Sequence, residues 1–61
     1  MTFKELDKLL RNNGWFPVRS KGSHFQYQHK DRPNTIAVPN HNGKDIKTGT
    51  LNSILKQAGL R

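Results

Sequence analysis

An α+β fold in the order α-β-β-β-α is predicted by three features of this 61-residue sequence. A capped amphipathic run opens the chain, two-residue alternation fills its middle between polar turns, and a second run of helical period closes it. A chain of this length buries only about 60% of the surface it exposes when unfolded, so a single domain over residues 1–61 with one core is expected.

Thr2 followed by Glu5 matches the capping box, in which a hydroxyl and a carboxylate satisfy each other's backbone N–H groups. Phe3, Leu6, Leu9 and Leu10 then fall on one helical stripe, and Asn12, Asn13 and Gly14 end the helix. Residues 15–20 have strand propensity through Trp15, Phe16 and Val18, while Pro17 lacks a backbone donor and pushes the run toward an edge or a bulge, of which an edge strand is expected. Lys21-Gly22-Ser23 is a turn in which Gly22 supplies the positive φ that other residues resist. Residues 24–29 alternate, with Phe25 and Tyr27 on one face and His24, Gln26 and Gln28 on the other. A polar turn over 30–34 leads to a third strand over 35–39, whose buried pair is Ile36 and Val38. After a loop over 40–45, Leu51, Ile54, Leu55 and Ala58 mark a second helix starting near Thr48. Gly59 closes it as a left-handed cap, folding Leu60 back on Leu55.

Three such strands form an antiparallel meander with both helices on one face, since only mutual packing buries their apolar sides. The expected core is Leu6, Leu9, Leu10, Phe16, Val18, Phe25, Tyr27, Ile36, Val38, Leu51, Ile54 and Leu55. Trp15 and Phe16 have ring faces suited to stacking on bases, but an aromatic pair leading into a strand beside an amphipathic helix is expected in the core. On the opposite sheet face Arg19 and Lys21 become neighbours of His24 and Gln26.

Eleven Lys and Arg against four acids give a net charge of +7, which points to a polyanionic partner: nucleic acid, an acidic membrane surface or an acidic protein. Excess lysine also serves solubility in a small domain. The absence of cysteine rules out disulfides and thiolate chemistry and suits a reducing compartment, so the cytoplasm is expected. No apolar run approaches the roughly 18 residues that span a bilayer, and Met1-Thr2-Phe3-Lys4-Glu5 lacks the order of a signal peptide, so no membrane association is expected. The three histidines and the acids Glu5, Asp7, Asp31 and Asp45 have no metal-ligand spacing, and neither metal nor cofactor is expected.

Histidine exchanges protons near neutral pH, and the Gly22-Ser23 turn delivers His24 onto a basic sheet face, an arrangement suited to phosphodiester chemistry on RNA. Taken alone, an exposed strand histidine more often has no role. His29 shares the side of Phe25 and Tyr27 at the strand's end and is expected to be structural, and His41 suits either a second proton carrier or the ordering of its loop, of which ordering is expected.

Gly22-Ser23-His24 behind a helix and a strand, Val38-Pro39-Asn40-His41, Thr48-Gly49-Thr50-Leu51, and Ile54-Leu55-Lys56-Gln57-Ala58-Gly59-Leu60 occur in this order along the chain. Together they resemble the HicA family of toxin ribonucleases over nearly the whole sequence. The resemblance implies a double-stranded-RNA-binding-domain-like fold, messenger-RNA cleavage that arrests translation, and a HicB-like antitoxin as partner. It also carries the family's catalytic histidine onto His24, and His41 matches a histidine often found in that loop. RNA brings its own nucleophile, the 2′-OH, so the protein need only move protons and neutralise charge on the phosphorane. His24 suits either proton transfer, and Arg19 and Lys21 suit charge stabilisation. The expected RNA-contacting set is Arg19, Lys21, Ser23, Gln26, Lys44 and Lys47. A non-catalytic RNA-binding module and a basic domain for an acidic protein are the other readings the residues allow.

Overall fold

The computed structural model describes residues 1–40 and 44–61. Its elements are α1 (Phe3–Asn12), β1 (Trp15–Lys21), β2 (His24–His29), β3 (Arg32–Pro39) and α2 (Thr48–Gln57). The strands form one antiparallel sheet in the order β1-β2-β3. This is the predicted α-β-β-β-α arrangement. Among the described residues no helix is long and apolar enough to cross a membrane.

Both helix ends follow local chemistry. The Thr2 hydroxyl accepts from the Glu5 N–H at 3.2 Å while the Glu5 carboxylate accepts from the Thr2 N–H at 2.9 Å, completing the capping box. The Thr2 backbone donor, then its hydroxyl, holds the Glu5 carboxyl below its ordinary range. At the other end Gly59 takes φ +75°, and the Leu60 N–H reaches the Leu55 carbonyl at 2.9 Å while the Gly59 N–H reaches that of Lys56 at 3.2 Å. These two bonds are the Schellman pair, satisfying carbonyls that the last helical turn leaves free.

The core is one cluster: Leu6 and Leu10 from α1, Trp15, Tyr27, Ile36 and Val38 from the sheet, Ile54 and Ala58 from the C-terminal segment, and Ile46 from the loop before α2. Leu9, Phe25, Leu51 and Leu55 pack against it half-buried. The Tyr27 hydroxyl donates to Asp7, whose carboxylate also takes both oxygens to Arg11 Nε at 3.0 Å. Burial, then that bond and the Asp7 charge, push the Tyr27 phenol well above its usual range.

Two expected core residues lie outside it. Phe16 is 51% exposed and Val18 is 53% exposed, whereas Trp15 is buried to 1%. The cause is a β-bulge: Pro17 pairs with Tyr27 and Arg19 with Gln26, leaving Val18 as an extra residue. Simple alternation would send Trp15, Arg19 and Lys21 to one side. With Val18 absorbed by the bulge, Trp15 and Pro17 share the inner face with Tyr27, while Phe16, Arg19 and Lys21 share the outer one. The indole, the largest apolar group available, is thereby buried with its Nε1–H directed at the Ala58 carbonyl at 3.4 Å. Strand bounds also differ from expectation. β1 extends to Lys21 and β3 begins at Arg32, because ladder pairing runs out to Lys21↔His24 and His29↔Arg32 whatever the polarity of those side chains.

Candidate active site

His24 is placed by three constraints. Gly22, at φ +60°, allows β1 to reverse through a two-residue loop, so His24 is the first residue of β2. Its cross-strand partners are Lys21 on β1 and Pro39 on β3. Directly after β3 the Asn40 N–H donates to the Ser23 carbonyl at 2.7 Å, clamping the hairpin tip to the neighbouring strand. The histidine is therefore exposed on backbone secured from both sides, the condition for a preorganised site.

From this position His24 lines an open groove of about 790 Å³, with Ala37 and Pro39 beside it. Lys44, Asp45, Ile46, Lys47 and Thr50 form the other bank. That bank is anchored by Ile46, which is buried in the core and whose N–H donates to the Met1 carbonyl at 2.8 Å. A bridge between Thr2 and Asp45 continues the contact. With Ile46 turned inward, the exposed Lys44 and Lys47 flank it at the groove. Lys47 is also the N-cap of α2, makes no side-chain capping bond, and precedes a first turn without acids. The positive end of the helix thus adds to the charge of the lysines.

The predicted contact residues divide between two surfaces. Lys44 and Lys47 share the groove with His24. Lys21, Arg19 and Gln26 lie on the outer sheet face, Lys21 opposite His24 and Arg19 opposite Gln26. Ser23 sits in the hairpin turn with its carbonyl engaged by Asn40. Asp45, considered in the sequence only as a metal ligand, and Thr50, named only within a motif, also join the groove, and Phe16 joins the outer face through the bulge. Lys44 and Lys47 of the far bank were expected contacts, and the signal that could have placed them there is Ile46, a lone β-branched apolar residue in a polar loop.

His29 has a structural place. Its Nδ1 accepts the Asp31 N–H at 3.0 Å, its ring meets Trp15 edge-on at 5.2 Å, and it fills the space where a side chain at Gly14 would project. His41 lies outside the described residues. Among the described residues no group of three or more His, Cys, Asp or Glu side chains gathers in a way that could hold a metal ion.

Comparison with curated proteins finds no match. A family model described as "HicA toxin of bacterial toxin-antitoxin" matches residues 3–60, a span that contains every helix and strand, the hairpin bearing His24 and both banks of the groove. The chain belongs to the HicA toxin family of bacterial toxin–antitoxin systems.

Proposed function

We propose that this toxin is a metal-independent endoribonuclease that cleaves messenger RNA in the cytoplasm and so arrests translation, with His24 as its general acid or base. The observation carrying this reading is the position of His24, exposed on clamped backbone between Lys21 on one side and the Lys44–Lys47 bank on the other. In the reaction the 2′-oxygen attacks the adjacent phosphorus and loses its proton, the phosphorus–5′-oxygen bond breaks, and that oxygen gains a proton. The products are a 2′,3′-cyclic phosphate and a free 5′-hydroxyl. His24 performs one of the two proton transfers. Lys21, Lys44 and Lys47 oppose the charge that builds on the phosphorane, and Arg19 contributes a fork suited to phosphate oxygens. Because the nucleophile belongs to the substrate, no metal-bound water is required.

The partner is an antitoxin, and we infer one of HicB type that covers the His24 surface with acidic or apolar groups. Incubation of the purified protein with RNA in EDTA tests the enzymatic claim. Cleavage to cyclic-phosphate ends supports it, and binding without cleavage would make the domain a non-catalytic RNA-binding module.

A further inference from the structure

We propose that Phe16 is a base-stacking platform that holds single-stranded RNA on the outer sheet face leading to His24. The proposal rests on the ribonuclease reading for the identity of the strand that crosses this face. Its physical basis is the bulge at Val18, which turns a phenyl ring into water in a chain too short to spare apolar side chains from its core.

On the outer face Phe16 stands opposite Gln28, Arg19 opposite Gln26, and Lys21 opposite His24. Aromatic ring, guanidinium and ammonium therefore follow one another toward the histidine, with two amides alongside. At about 3.3 Å per residue along β2, the line from Gln28 to His24 covers roughly 13 Å. That reach suits a short run of extended nucleotides rather than one base. An exposed ring offers a face on which any base can stack, and cations spaced beside it meet the backbone phosphates.

The charge of the face suits a polyanion, and the small size of its apolar part favours RNA over a protein occupant. The four acids of the chain lie elsewhere, Glu5 and Asp7 on α1, Asp31 in the β2–β3 turn, and Asp45 in the groove. The large exposed apolar groups of the face are one ring and Val18 at the strand edge, bordered by Arg19, which is too little for an apolar docking surface and enough for one stacked base.

The test uses a short fluorescein-labelled 2′-O-methyl oligouridylate, which binds without being cut, and follows anisotropy with wild type, Phe16→Leu and Phe16→Trp. Leucine keeps apolar bulk but has no π face, so its Kd should rise by about 5- to 150-fold, the range for loss of one stacked base. Tryptophan should retain wild-type affinity, and the salt dependence should be the same in all three, because stacking releases no counterions. Equal affinity of wild type and Phe16→Leu overturns the platform while leaving the ribonuclease reading intact. Failure of wild type to bind the oligonucleotide overturns the platform, whereas only absence of cleavage of RNA in EDTA overturns the ribonuclease reading. If Phe16→Leu binds RNA normally but loses its complex with the antitoxin, the ring belongs to the protein interface and the proposal is wrong.

Discussion

His24→Ala should separate catalysis from everything else the domain does. The side chain is exposed at the first position of β2, outside the buried cluster, and its removal leaves the Asn40–Ser23 clamp and the capping box in place. A surface change of this kind shifts stability by no more than about 0.5 kcal/mol. Lys21, Lys44 and Lys47 remain to grip phosphate, so RNA affinity should change little. A positioned acid or base contributes about 10²- to 10⁴-fold in rate, or roughly 3–5.5 kcal/mol of barrier, and that is the loss expected here. Single-turnover cleavage of a defined RNA in EDTA measures it, with thermal melts and binding as controls. His29→Ala is the counter-experiment, since that ring supports Trp15 and the Asp31 turn: it should cost stability while sparing the rate of the folded fraction. Wild-type cleavage by a folded His24→Ala protein would refute the catalytic assignment.

If the basic surfaces contact phosphates, RNA affinity should fall with salt at a slope near 0.7 per phosphate neutralised, and Lys21→Ala should lower the slope by about that amount for all sequences alike; a flat response in titrations at several salt concentrations would contradict this. Glu5 has a depressed carboxyl in the folded state, so its contribution is present above the unfolded carboxylate range and is lost as pH falls through the lower folded value; melts should show the gap between wild type and Glu5→Ala closing in acid. Tyr27 has a raised phenol, so its contribution is complete below the unfolded value near 10 and disappears as pH rises beyond it. Tyr27→Phe should cost about 1.5–3 kcal/mol at neutral pH, through the lost bond to Asp7, and should remove the alkaline fall in stability expected of the wild type in denaturation experiments. Expression of the toxin alone should halt growth and co-expression of its antitoxin should restore it; normal growth with soluble protein confirmed on gels would oppose the toxic ribonuclease activity.

The helices were legible because their signals are local. Thr2 and Glu5 sit within one turn of each other, and Gly59 with Leu60 completes a cap whose geometry involves only the last few residues. His24 was legible for a similar reason, since Gly22 allows the hairpin to reverse in two residues and so sets which residue begins β2. Alternation failed at Phe16 and Val18 because a bulge changes the parity of a strand, and Pro17, which suits an edge and a bulge alike, does not say which of the two it marks. The far bank of the groove was illegible as a bank. Lys44 and Lys47 share a groove with His24 only because Ile46 inserts into a core built from distant segments, and a lone apolar residue has no period from which to read its direction.

The bulge has a consequence for how this hairpin tolerates insertions and deletions. Val18 has the highest strand propensity of its segment, yet it is the residue whose loss would leave every neighbour facing as it does now. Without it, Trp15, Pro17 and Ser20 would still alternate with Phe16, Arg19 and Lys21 in an unbroken strand. Deleting Phe16 or Arg19 instead would remove a group from the outer face and force the ladder to be renumbered. A shorter relative lacking one residue here is therefore best aligned with its gap at Val18, in the middle of the strand, rather than at the polar turn where gaps are customarily placed.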